Sequence, residues 1–331
     1  MIKILSKTKN FLTITYHLFI AAGKGFAEDK VTKLSAALAY YTIFSLSPLI
    51  IIIISSASLI YQKDALEDKL FAQINDLVGP DAAAQIQSFV VNASLSGKSS
   101  FALVIGIITL IIGATAVFTE IQDSINQIWK VKAVPKTGWK KLITNRLLSF
   151  SLIVSLGFLL LVSLVLNTVV LGLGEQLTKL IPGITDTTTL IVLIINNVLT
   201  FAVVTGVFAV IFKVLPDVVL RWKSALIGAA FTAVLFGIGK YLIGLYLEKS
   251  NPGLVFGSAG SIIIILLWIY YTSLILYFGA EFTQVYAEKY DDGIAPTKYA
   301  VHLKTIIVEK KVDVLPPQHP EDTVELKEDK S

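Results

Sequence analysis

The 331-residue chain is 54% hydrophobic and 16% charged, with a mean hydropathy of +0.73. A water-soluble domain carries roughly 25% charged residues, so this chain has too little charge to coat a water-facing surface. A soluble globular enzyme, a disordered chain and a collagen-like chain are excluded. The net charge of +4 is too small to imply nucleic acid, and the absence of cysteine removes disulfides, thiol nucleophiles and zinc ribbons.

Residues 1–33 read as a cytoplasmic amphipathic segment lying against the membrane. The apolar stretch Phe11–Ala22 is broken by Tyr16 and His17 and lacks a small-residue cleavage pattern, which argues against a cleavable signal peptide. Crossing ~30 Å of hydrocarbon takes about 20 apolar residues in a helix. Six segments meet that requirement: 34–61, 101–118, 147–173, 190–212, 224–247 and 257–280. Between the first two, residues 62–100 place Leu66, Leu70, Ile74 and Leu77 at helical spacing, the pattern of amphipathic helices on the outer surface. After a transmembrane domain spanning 34–287, the cytoplasmic tail 288–331 mixes both charge signs and holds Pro316, Pro317 and Pro320, so its end is expected to be disordered. No segment alternates with period two, which argues against a β-barrel, and no internal repeat stands out. The expected fold is all-α: a polytopic membrane protein with six transmembrane helices.

Charge sets the orientation. Six crossings place both termini on one side, and 22 of the 28 Lys and Arg residues fall on that side, against five on the other. The positive-inside rule makes the richer side cytoplasmic. The cell membrane of a bacterium is the expected location, with the lipid bilayer and its anionic cytoplasmic headgroups as partners.

The remaining cation, Lys240, lies within the fifth span, and an ionisable group in a span suggests function by default. At ~1.5 Å per residue, Lys240 sits roughly 24 Å outward from Ser224. Asn196 and Asn197 of the fourth span reach a similar depth, and Ser258 and Ser261 of the sixth also lie toward the outer half. Two arrangements fit. Lys240, Asn196, Asn197, Ser258 and Ser261 line a net-positive cavity for an anionic or polyhydroxylated solute, or Lys240 snorkels to the headgroups while the asparagines bond helix to helix.

The inner layer carries more charge, in Glu120, Asp123, Arg146, Lys213, Arg221 and Glu281. These residues form either an ion-pair belt that fixes helix ends or a cytoplasmic gate with a proton-coupling carboxylate. Glu281 best fits the second role, because apolar residues precede it. Lys240 and Glu281 lie at different depths and are not expected to pair. Pro48, beside Ser45 and Ser47 in the first span, marks either a hinge or a plain kink.

No soluble-enzyme motif is present. A P-loop and a serine elbow are missing, and His17, His302 and His319 are too scattered for a metal cluster. The chain is expected to have no catalytic residue, cofactor or metal.

Several stretches carry a resemblance when taken together. The first span opens on Ala36-Ala37-Leu38-Ala39-Tyr40-Tyr41-Thr42-Ile43-Phe44-Ser45-Leu46-Ser47-Pro48-Leu49, and Asp123-Ser124-Ile125-Asn126-Gln127-Ile128-Trp129 follows the second. Leu215-Pro216, Arg221-Trp222 and Gly228-Ala229 lead into the fifth, followed by Lys240 and Tyr246. The set closes with Phe256-Gly257-Ser258-Ala259-Gly260, Leu267-Trp268-Ile269-Tyr270-Tyr271 and Gly279-Ala280-Glu281. From about residue 20 to 290 the chain resembles the YihY/virulence factor BrkB family of bacterial inner-membrane proteins. Phe256 departs from the family's tyrosine and removes a hydroxyl. The resemblance implies six transmembrane helices and no settled activity. Some members carry the name ribonuclease BN, but no metal-ligand or base–nucleophile constellation here supports it. The function expected is a gradient-driven transporter or permease-like protein for a small solute or lipid-derived group. Its rival is a non-transporting scaffold for envelope assembly or resistance. Solute and oligomeric state stay open.

Overall fold

A computed structural model describes residues 16–57, 83, 84, 87, 115–134, 185–250 and 260–304. Helix α1 covers 16–28, α2 Val31–Ala57, α3 115–128, α4 Thr185–Val214, α5 Trp222–Ser250 and α6 Gly260–Tyr290. Among the described residues, three stretches are long and apolar enough to cross a membrane: Leu190–Val214, Trp222–Tyr246 and Ile263–Tyr290. The expected span 147–173, most of 101–118, the tail beyond 304, Arg146 and Ser258 lie outside the described residues. Within 62–100 only residues 83, 84 and 87 are described, and all three are helical.

Helix α2 continues through Pro48 to Ala57. Helix α6 continues past Ala280, where the apolar run stops, to Tyr290. Glu281 therefore stands inside a helix rather than at its end, because the last turns exchange a uniformly apolar surface for an amphipathic one. Leu215-Pro216 closes α4, since proline disfavours helical geometry in the residue before it. Gly293, at φ 78°, turns the chain back after α6 and donates to the Ala287 carbonyl at 3.2 Å.

The helical reading misses short strands: the described residues hold four, in two antiparallel ribbons. Strand β1 (Val131–Ala133) pairs with β4 (Ala300–His302), matching Lys132 to Val301, and β2 (Val218–Val219) pairs with β3 (Ala295–Pro296). Strands of two or three residues are too short to carry a period-two signal. The ribbons make the segment after α6 a strap across the chain ends that leave α3 and α4.

Beneath this strap lies the main apolar core. Val31, Leu38, Ile125, Ile128, Trp129, Phe212, Leu220, Ala225 and Tyr277 are buried together there, drawn from α2, α3, α4, α5 and α6 and the turns beside them. Helix α1 packs on the same end, with Leu18 and Ala22 buried against Phe282 and Phe19 edge-on to Phe278 at 5.1 Å. One side of α1 thus meets protein, while Tyr16, Phe19 and Ile20 stay exposed.

Helices α5 and α6 cross through a matched pair of pentapeptides, Gly228-Ala229-Ala230-Phe231-Thr232 and Gly279-Ala280-Glu281-Phe282-Thr283. A Cβ on Gly228 would collide with Thr283, and a Cβ on Gly279 would collide with Thr232. Each threonine folds its hydroxyl back onto its own helix, Thr232 to the Gly228 carbonyl at 2.7 Å and Thr283 to the Gly279 carbonyl at 2.6 Å. Phe231 and Phe282 stack at 3.8 Å between ring centroids. The pairing of an early residue with a late one makes the crossing antiparallel and locally two-fold. Small residues let backbones approach closely in a medium where apolar burial against lipid gains little. In this symmetry Glu281 takes the place of Ala230.

Candidate functional site

The site is built where α1, the end of α3 and α6 meet. Helix α1 ends in the turn Asp29–Lys30, and α3 ends in the turn Trp129–Lys130. Both lysines sit at φ 54°, so each backbone reverses sharply into the next element. The turns bring Asp29 and Lys130 into an ion pair. The Trp129 indole N–H reaches across and donates to the Ala280 carbonyl at 3.0 Å. This anchors the turn of α6 that carries Glu281.

Glu281 is 3% exposed, and its Oε1 has no hydrogen-bond partner among the described residues. Asp29, Lys130 and Glu28 lie close enough for their charges to act on it. Gly25 of α1 faces the carboxyl so closely that a Cβ there would collide with Oε2 and lie 2.9 Å from Cδ. This contact yields a direct expectation. Gly25→Ala destabilises the protein by about 1–3 kcal/mol through overpacking, and Glu281→Ala in the same chain removes most of that loss. Thermal unfolding of the two single variants and the double variant in detergent measures it, and additive losses would contradict the contact.

The other inner-layer residues divide into separate groups. Arg221 pairs with Asp291 at 3.5 Å and Asp292 at 3.3 Å, and Ser224 also bonds Asp291. Lys213 donates to the Leu220 carbonyl and lies 5.7 Å from the Trp222 ring centroid. Glu120 accepts from Ser124 at 3.4 Å, whereas Asp123 is exposed. In the outer set, Lys240 on α5 and Asn196 on α4 are half-buried, Asn197 is exposed, and Ser261 begins α6.

Sequence reasoning singled out Glu281 but missed its neighbours Gly25, Asp29 and Trp129, and treated Lys130 only as a loop cation. It also missed Asp217. That carboxylate accepts from Gln122 at 3.0 Å and Asn126 at 2.9 Å, while its own N–H donates to the Asn126 side chain at 2.9 Å. The available signal was Gln122 and Asn126 four apart on one helix face, opposite a polar residue placed just after Leu215-Pro216.

The profile of the family described as Virulence factor BrkB matches residues 22–302. The chain belongs to the virulence factor BrkB family. Its relatives include proteins named UPF0761 membrane protein. One from Pseudomonas aeruginosa strain LESB58 is 30% identical, over 77% of this chain and 59% of its own length. Others come from Saccharophagus degradans, 26% identical over 87% of this chain and 63% of its own, and Tolumonas auensis, 26% identical over 79% and 82%. The chain thus spans about three fifths of the length of the first of these relatives. No solved structure matches. The protein is an integral membrane protein of the BrkB family. The stretches that carry the BrkB resemblance, from Asp123 to Trp129, Leu215-Pro216 and Gly279-Ala280-Glu281, converge on the strapped end of the helices.

Proposed function

We propose that this protein is a gradient-driven transporter or permease-like carrier of a small solute or lipid-derived group. It works in a bacterial inner membrane with both termini cytoplasmic. The observation that carries this reading is Glu281: a carboxyl on a helix long and apolar enough to span a membrane, buried, with one oxygen lacking a donor among the described residues, beside the Asp29–Lys130 pair. Ionisable groups in such helices are costly and mark ion or substrate pathways. Glu281 couples the gradient in this reading, and Glu120, Asp123, Arg146, Lys213 and Arg221 form the cytoplasmic gate of the same inner layer. Lys240 with Asn196, Asn197, Ser258 and Ser261 faces the solute, and Pro48 supplies flexure in α2. The excess of Lys and Arg on one side supports the orientation. Exposed Arg221, Trp222 and Lys223 at the start of α5 suit anionic headgroups. The reading assigns no catalytic residue, cofactor or metal.

Currents from proteoliposomes on a solid-supported membrane test it, using a panel of organic anions and sugars under an imposed pH gradient. The expected result is a wild-type current with one solute class. Lys240→Met raises its half-saturating concentration at least about tenfold, and Glu281→Gln abolishes its dependence on the gradient. Silence across the panel, with the protein recovered in a stable envelope complex, would favour the scaffold instead.

A further inference from the structure

Helix α6 places Ser273, Tyr277 and Glu281 four residues apart, on one face, and all three are buried. Each step advances about 6 Å along the helix, so the polar stripe reaches roughly 12 Å from Glu281 toward the middle of the span. Ser124 and Glu120 of α3 lie on the side of the Tyr277 hydroxyl. Ser35 is fully buried on the same face of α2 as Val31 and Leu38, and α2 packs on α6. Among the described residues, Glu281 Oε1, Tyr277 OH and Ser35 Oγ all lack a hydrogen-bond partner. More than nine in ten buried polar groups have one, and water is the usual partner where protein supplies none. Ser273 donates to the Ile269 carbonyl at 2.7 Å and keeps its oxygen free to accept.

We propose that this stripe is one wall of a hydrated proton path running from Glu281 into the membrane, with the Tyr277 hydroxyl as its relay. The inference rests on the coupling role given to Glu281 and names the proton as the coupling ion. A proton leaves the Glu281 carboxyl for a water, and that water passes one of its own to the Tyr277 oxygen. The hydroxyl releases its original proton to the next water, toward Ser273. Nothing is oxidised or reduced, and rotation of the hydroxyls resets the chain. Among the described residues, the charged groups near the path are Asp29 and Glu28 from α1, Lys130 after α3, and Glu120 on α3. Helix α5 meets α6 at Gly279 and Thr283, roughly 160° around the helix from Glu281 and so on the side turned away from the path.

Infrared difference spectroscopy on the full chain in phosphatidylethanolamine–phosphatidylglycerol vesicles tests the path, with H2O exchanged for D2O. The expected wild-type spectrum contains a protonated-carboxyl stretch that Glu281→Gln removes. Its deuterium shift slows at least about tenfold in Tyr277→Phe, as loss of one relay step requires. Ser124→Ala, which leaves the Tyr277 ring untouched, slows it less. Absence of a Glu281 band would overturn both the coupling role and the path. A Glu281 band that exchanges equally fast in Tyr277→Phe would overturn the path alone. Tyr277→Phe removes a hydroxyl that makes no hydrogen bond with the described residues, so a purely structural tyrosine predicts no change in exchange.

Discussion

Gly279→Val is expected to cost about 2–3 kcal/mol, the upper part of the range for an overpacked core, and to leave little monodisperse protein after detergent extraction. The Cβ of any residue at 279 would lie 2.9 Å from both Cβ and Cγ2 of Thr232. Neither side can yield, because the Thr232 hydroxyl is committed to the Gly228 carbonyl and Phe231 is stacked on Phe282. The two-fold character of the crossing sharpens the expectation: Gly228→Val meets Thr283 in the same way and produces a similar loss. Thr232→Ala combined with Gly279→Ala restores only part of the stability, since the residue-232 Cβ still crowds the new methyl. Chemical denaturation in mixed micelles measures all three. A well-tolerated Gly279→Val would show that the helices do not cross at these glycines.

The second large effect is expected at the turn after α4. Asn126→Leu fills a similar volume but leaves the Asp217 carboxylate with one donor fewer and its backbone N–H with no side-chain acceptor. A polar group deprived of its partner costs about 1–3 kcal/mol when buried, and because Asp217 is half-buried a loss of roughly 1–2 kcal/mol is expected. Asp217→Asn keeps an acceptor oxygen and the backbone N–H, and it loses less. The readout is thermal unfolding together with tryptic cleavage after the exposed Arg221, which accelerates in Asn126→Leu when the turn comes loose. Equal stability of Asn126→Leu and the wild type would mean that the turn is held by the ribbon alone.

The long apolar helices were legible because hydropathy reports directly on a lipid environment. The expected fifth span, 224–247, lies just inside α5, and the fourth, 190–212, inside α4. The sixth was harder, since hydropathy falls at Glu281 although the backbone stays helical to Tyr290. Glu281 itself was legible as a carboxylate following an apolar run. Its surroundings were not: Asp29, Lys130 and Trp129 come from turns far away in the chain, and only tertiary packing brings them together. Asp217 was hidden for the same reason, being a loop aspartate by sequence and a clamp by geometry. The Gly-Ala-x-Phe-Thr pair was printed in the sequence. Two pentapeptides some fifty residues apart carry no message until an antiparallel crossing lays them face to face.

The strap after α6 has a consequence for how the protein is made. A ribosome-bound chain releases its helices in order, yet β1 and β2 acquire their partners only when Ala295–His302 emerges. Until then the turn after α3 and the turn after α4 hold unsatisfied backbone groups, and Asp291 is not yet there to take Arg221 and Ser224. The native end of the bundle is thus closed by nearly the last described residues, across large sequence separations that make closure slow. Synthesis acts as a timer: the membrane helices are in place first, and the lock that organises Glu281 and its neighbours closes after them.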